Sequence, residues 1–188
     1  ITLDQMGNDF GSVAITQAND VTLSDIDDIN LLGFSIGGNL TVTANGTITE
    51  SGNLSVGGET TVDAGSGDIV LNQAGNLFTG SVGLTAAGNA TLLDTNALDL
   101  AVSTVSGDLN VTASGDITDS GNLSVGGTAT FDPGSAANNI TLTETGNDFG
   151  SVVITQANDV TLTDIDGIDL AASSVSGNLT VTANGTIT

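Results

Sequence analysis

ITLDQMGNDFGSVAITQANDVTLSDID, residues 1–27, returns almost intact at residues 140–166 as ITLTETGNDFGSVVITQANDVTLTDID. A looser copy, IVLNQAGNLFTGSVGLTAAGNATLLDTNALDL, fills residues 69–100. The stretches between them, SGNLSVGGETTVDAGSGD (51–68) and SGNLSVGGTATFDPGSAANN (120–139), match one another as well. The period is about 70 residues, and it divides the chain into super-repeats at approximately 1–68, 69–139 and 140–188. Self-similarity at such a period marks an array in which each unit completes the core of its neighbour. The expected organisation is one array over residues 1–188, a fragment of a longer protein packed on flanking repeats of the same parent chain, because Ile1 already stands inside a strand pattern.

Within a super-repeat the pattern is short. Triplets with apolar outer residues recur at Val13–Ile15, Val21–Leu23, Leu40–Val42, Leu54–Val56 and Ile69–Leu71, joined by the Thr-rich triplets 47–49 and 60–62, with Gly, Asn, Asp or Ser between them. Period-two alternation broken by turn residues reads as very short β-strands, and no stretch carries the 3.6-residue period of a helix. Grouping the triplets in threes predicts an all-β, right-handed parallel β-helix of about eight triangular coils, each of roughly 20–27 residues, three coils to a super-repeat. One coil would hold VAI, VTL and INL with FSI, the next LTV, TIT and LSV, and the third TTV, IVL and the segment with LFT. Val13, Ile15, Val21, Leu23, Leu40, Val42, Ile48, Leu54 and Val56 are the expected inward side chains, with Phe10, Phe78 and Phe149 filling one wider corner. Gly and Asn at the corners are read as turn residues with positive φ. Asn39, Asn53 and Asn178, each after a glycine, are placed to form amide ladders along the rod. Thr79, an insertion peculiar to the middle copy (LFTG against DFG), belongs at a bulge or corner.

Composition removes most chemistry. The 188 residues include no Lys, Arg, His, Cys, Trp or Tyr, and 22 Asp and Glu give a formal charge of -22. The usual general bases and covalent nucleophiles are thereby missing, and the chain is expected not to be an enzyme. Nucleic acid and anionic membrane surfaces are excluded as partners, since both demand cationic side chains. No apolar run approaches the ~20 residues of a membrane-spanning helix. The absence of Cys says only that no disulfide supports the fold.

The phrases GNLTVTANGTIT, SGNLSVGG and NDFGSVAITQANDVTL resemble the repeats of filamentous-haemagglutinin-like adhesins, which Gram-negative bacteria secrete by the two-partner route. The resemblance extends over essentially the whole chain. It implies a parallel β-helix, export to the bacterial cell surface, and a role as a structural stalk in adhesion or cell contact. A repeat segment that binds glycans or a partner cell directly is the alternative, and a polysaccharide-cleaving β-helix enzyme a lower one.

Four candidate sites follow from the residues. SDIDDIN and TDIDGID bring Asp25, Asp27 and Asp28, and Asp164, Asp166 and Asp169, close in sequence, and hard carboxylate oxygens suit calcium. The plainer alternative has these carboxylates facing solvent in alternation with buried Ile26 and Ile165; no other cofactor is expected. Paired carboxylates for glycan cleavage would have to come from Glu50, Glu59 and Glu144, which form no cluster in sequence. Thr41, Thr43, Thr47 and Thr49 suggest a water-ordering array, although the middle copy breaks the pattern with Asn110 and Asp116 and Thr is in any case a good strand residue. N-x-S/T sequons at Asn39, Asn45, Asn53, Asn89, Asn110, Asn122, Asn139, Asn178 and Asn184 are candidate glycosylation sites; the plainer alternative is that a corner Asn before a Thr-rich strand makes sequons by accident. The cut strands at Ile1 and Thr188 lead to an expectation of end-to-end association at high concentration.

Overall fold

The computed structural model describes all residues, 1–188, and contains strands and turns with no helix. In chain order the strands are β1 (Thr2–Leu3), β2 (Ser12–Ala18), β3 (Val21–Ser24), β4 (Ile29–Ile36), β5 (Leu40–Thr43), β6 (Ile48–Val56) and β7 (Thr60–Asp63). Then come β8 (Ile69–Leu71), β9 (Leu77–Phe78), β10 (Val82–Ala86), β11 (Ala90–Leu93), β12 (Leu98–Leu100), β13 (Ser103–Val105) and β14 (Leu109–Thr112). The last seven are β15 (Ile117–Asp119), β16 (Leu123–Asp132), β17 (Ile140–Leu142), β18 (Asp148–Ile154), β19 (Val160–Asp164), β20 (Asp169–Leu170) and β21 (Leu179–Ala183). The strand pairings are parallel throughout, and each links a strand to one in the next coil.

One stack runs the length of the rod: β1, β3, β5, β7, β10, β12, β15, β17, β19, β21. These ten strands mark nine turns, about 43 Å at the usual inter-strand spacing. The shortest step, Val82 to Leu100, spans 18 residues and the longest, Ile117 to Ile140, spans 23. A second stack passes through β2, β4, β6, β8, β11, β14, β16, β18 and β20.

The sequence expectation of a parallel solenoid holds, but its phasing does not. VTL, INL and FSI do share a coil, whereas Val13–Ile15 lies in the coil below, under Leu31 and Phe34. From Thr2 the first stack climbs three full coils to Thr61, and the next copy of the same motif, Ile69–Leu71, then enters the second stack. The third copy, Ile140–Leu142, is back in the first. A super-repeat is therefore three and a half coils, not three, and successive copies present the same residues on alternate stacks.

The half coil is absorbed by the third face, which is built in relays. Its first segment stacks the distal ends of β2, β4 and β6 under β9, following the second stack in the chain. The next begins where the single strand β10 is overlain by two strands, β12 and β13, with a bend at Ala101–Val102 between them. It continues through the starts of β16 and β18 and follows the first stack instead. The third face thus changes sides once per super-repeat.

The core is one continuous apolar cluster of Leu, Val, Ile and Ala with few aromatics. Of the predicted inward residues, Ile15, Val21, Leu23, Leu40, Val42, Ile48, Leu54 and Val56 are buried, and Val13 is partly so. Phe78 and Phe149 are fully enclosed; Phe149 meets Phe131 edge-on with ring centroids 6.2 Å apart, while Phe10 is half-buried.

The corners correct the expectation about glycine. Only Gly33, Gly65 and Gly134 adopt positive φ, and no Asn does. The more general need is for space. A Cβ on Gly38, Gly58, Gly88, Gly107, Gly127 or Gly177 would overlap a side-chain oxygen from the coil below: Asp20, Asn39, Asp68, Asn89, Asp108 and Asp159 respectively. Each of those oxygens reaches over the glycine to accept the backbone N–H of the residue after it. Asp20 so accepts from Asn39 at 2.9 Å, Asn39 from Glu59 at 2.9 Å, Asn89 from Asp108 at 2.9 Å and Asp108 from Thr128 at 2.8 Å. The corner ladder exists, but it joins side-chain oxygen to backbone N–H, so Asp serves as well as Asn.

Candidate functional site

The acidic repeats turn inward rather than outward. Strand β19 alternates with Val160, Leu162 and Asp164 inside, so the inward phase delivers a carboxylate to the core. Asp25, Asp94 and Asp164, equivalent in the three copies, are all buried, whereas Ile26 and Ile165 are exposed. This reverses the alternative in which the isoleucines were buried and the carboxylates solvated. Buried carboxylates need donors, and they have them. Asp164 Oδ2 accepts the N–H of Phe149 at 2.8 Å and Oδ1 that of Asp166 at 3.0 Å. Asp25 accepts from Phe10 at 2.6 Å and Asp27 at 3.0 Å, and Asp94 from Phe78 at 3.2 Å. Phe78 and Phe149 end a segment of the third face, where no further strand supplies a carbonyl. The aspartate substitutes for the missing strand and is the device that lets the face change sides.

A second polar cluster supports the same handover. Asn76 is fully buried; its Oδ1 accepts the N–H of Leu54 at 2.9 Å and its Nδ2 donates to Glu50 Oε1 at 2.7 Å. In the next copy Asn147 accepts from Leu123 at 2.8 Å and donates to Asp119 at 2.6 Å. Glu50 Oε1 also accepts from the N–H of Gln73 at 2.6 Å, while Oε2 is buried without a partner. Burial raises the proton affinity of Glu50, Asp94 and Asp164 above the ordinary carboxylate range, against the opposing pull of their N–H donors.

The calcium candidates divide among unrelated roles. Asp25 and Asp164 are the buried caps. Asp28 accepts the N–H of Thr47 at 2.6 Å, Asp166 that of Gly167 at 2.5 Å, and Asp169 the hydroxyl of Thr188 at 3.3 Å. Asp27 is exposed, its proton affinity raised by partial desolvation and then by Asp25, Asp9 and Asp28. No three carboxylates of the chain converge closely enough to hold a metal ion. Glu50, Glu59 and Glu144 do not meet either: Glu50 is in the buried cluster, Glu59 donates its N–H at a corner, and Glu144 donates its N–H to Asp119.

The threonines form rows that the sequence reading missed. Thr41, Thr43, Thr47 and Thr49 do not share a face, since Thr49 lies on the second stack. Along the first stack, however, Thr2, Thr22, Thr41 and Thr61 stand in register, as do Thr118, Thr141, Thr161 and Thr180. Asn110 interrupts neither row because its copy is half a coil out of phase, on the second stack. Asp94 is the middle-copy equivalent of Asp25 and Asp164, while Asn76 and Asn147 were unforeseen; their signal was an Asn at the same place in every copy, as at Asn8.

The surface has one concavity, an open groove of about 740 Å³ on the first third-face segment, lined by Gln17, Ala18, Asn19, Ser35, Ser55 and Thr79 with the adjoining backbone. No carboxylate lines it.

These features define a parallel β-solenoid array with an apolar core, whose few buried polar groups serve strand termination and coil stacking. The chain belongs to the family described as repeats of unknown function (DUF5649), whose model matches residues 18–85, 87–156 and 157–188, the first two each a unit of about 70 residues and the third part of one. Among curated proteins and among solved structures, none matches it.

Proposed function

We propose that the chain is a non-catalytic structural shaft of a secreted bacterial surface protein of the filamentous-haemagglutinin-like adhesin type. It holds a distal region away from the cell and supports cell–cell or cell–surface contact. The observation that carries this reading is the uninterrupted first stack, ten parallel strands from β1 to β21. A continuous hydrogen-bonded stack transmits direction from coil to coil, as a flexible linker does not. A charge of -22 without a single basic side chain keeps neighbouring rods apart. The missing His, Lys, Cys and Tyr remove most general bases and nucleophiles, and Glu50, Glu59 and Glu144, the candidates for paired-carboxylate chemistry, do not meet.

The test is linear growth. A chain with residues 1–139 duplicated in tandem adds two super-repeats, or seven coils, and restores the phase of the stacks. Small-angle scattering should show the maximum dimension longer by about 33 Å with an unchanged cross-section. Growth well short of that, with a broad distribution of lengths, would mean hinged units and would sink the shaft reading.

A further inference from the structure

We propose that the groove on the first third-face segment is a binding site for a short neutral oligosaccharide, a function beyond that of a passive shaft. The groove crosses the levels of β2, β4 and β6, an extent of roughly 10–15 Å with its end wall included. Gln17, Ser35, Ser55 and Thr79 present an amide and three hydroxyls into it, all exposed. None of these four side chains hydrogen-bonds within the protein, whereas Asn19 beside them donates to Asp20 at 2.9 Å. Ala18 and the edge of Ile36 give the floor an apolar strip. Unengaged hydroxyls and amides around a small apolar floor match the alternating O–H and C–H faces of a sugar ring.

Charge selects among carbohydrates. In a chain with 22 acidic residues, none of the nine lining residues is acidic. The surrounding field repels sulfated or uronate-rich glycans and leaves uncharged ones unaffected. An extended peptide is disfavoured because the local backbone is saturated: the N–H groups of Gly37, Gly57 and Thr79 already donate to Ala18, Ile36 and Val56, each at 2.9 Å. The pairings of β2 with β4 and of β4 with β6 leave no edge open between the levels of the groove floor for β-augmentation.

The copies explain why the groove occurs once. Thr79 is the residue inserted in the middle copy, and it forms the end wall. The equivalent segment beyond Phe149 continues directly into Gly150 and Ser151 without it, and at its lower level Ala86, buried under Val105, holds the place that Ala18 holds under Ile36. No second concavity forms.

The experiment is a titration of the ¹⁵N-labelled chain with maltohexaose, cellohexaose and chitohexaose, with heparin hexasaccharide as the anionic control. The expected result is saturable shifts of the Ser35, Gly37, Ser55, Gly57 and Thr79 amides with at least one neutral sugar and none with heparin. Filling the groove by Ser35→Leu with Ser55→Leu, or deleting Thr79, should weaken that binding at least tenfold while amides beyond residue 100 keep their positions. No saturable shift with any of the three neutral sugars overturns the proposal. So do shifts centred elsewhere on the rod, stronger binding of heparin, or undiminished binding by both variants when their distal spectra are native. The shaft reading stands or falls separately, on the length of the tandem chain.

Discussion

Gly58→Ala tests the corner mechanism directly. The glycine N–H donates to the Gly38 carbonyl at 2.8 Å, and Asn39 Oδ1 accepts from the next N–H, that of Glu59, at 2.9 Å. A Cβ at position 58 would lie 2.7 Å from the Gly38 carbonyl carbon, 2.8 Å from its oxygen, and on top of Asn39 Oδ1. The methyl enters only if the coils part at that corner and Asn39 swings away. Two hydrogen bonds at about 1 kcal/mol each, with about 1 kcal/mol of overpacking, give a loss of roughly 2–3 kcal/mol. The matched control is Gly11→Ala. No atom lies within 4 Å of a Cβ there, and φ is not positive. Alanine at that position narrows the unfolded ensemble and should stabilise by about 0.4–1 kcal/mol. Urea unfolding followed by far-UV circular dichroism should therefore separate the two variants by about 3 kcal/mol. If corner glycines served only as flexible turn residues, both substitutions would shift the midpoint alike. Equal shifts would refute the packing argument.

Three further outcomes follow from the buried polar groups and the charge. Burial raises the proton affinities of Glu50, Asp94 and Asp164, so the folded chain binds more protons than the unfolded one above the ordinary carboxylate range. Stability is then greatest below that range and declines as pH rises through the raised values, so Tm should be higher at pH 5 than at pH 7; a fall in Tm on acidification would contradict the sign. Relief of mutual repulsion among the carboxylates acts in the same direction. Asn147→Ala should cost about 3 kcal/mol in urea, since it strips the buried Leu123 N–H of its acceptor and Asp119 of a donor; Asn184→Ala, at an exposed position, should cost under about 0.5 kcal/mol. Calcium and magnesium at equal concentration should raise Tm equally, as diffuse counterions do, because no three carboxylates converge; a calcium-specific rise saturating at one or two ions per chain would show that the Asp27 or Asp166 region rearranges into a site.

The sequence by itself determined the architecture. The 70-residue self-similarity and the period-two triplets left no alternative to stacked short strands, and almost every inward residue followed from alternation alone. Composition likewise removes the side chains of His, Lys, Cys and Tyr chemistry. The handover of the third face was decided by tertiary structure. Nothing local in Val13–Ile15 shows that it lies under Leu31 and Phe34 of the next coil, and nothing in β10 that it is overlain by two strands. The choice between three coils and three and a half depends on which strand each triplet meets above it. Everything read with the wrong phase went wrong for that one reason. The threonine rows looked broken because Asn110 was compared with Thr41, although the two stand on different stacks. Asp25 and Asp164 looked solvated because an aspartate beside an isoleucine is ordinarily the outer of the two. Only a strand that ends without a successor, leaving the N–H of a phenylalanine without a carbonyl, makes a buried carboxylate the better partner.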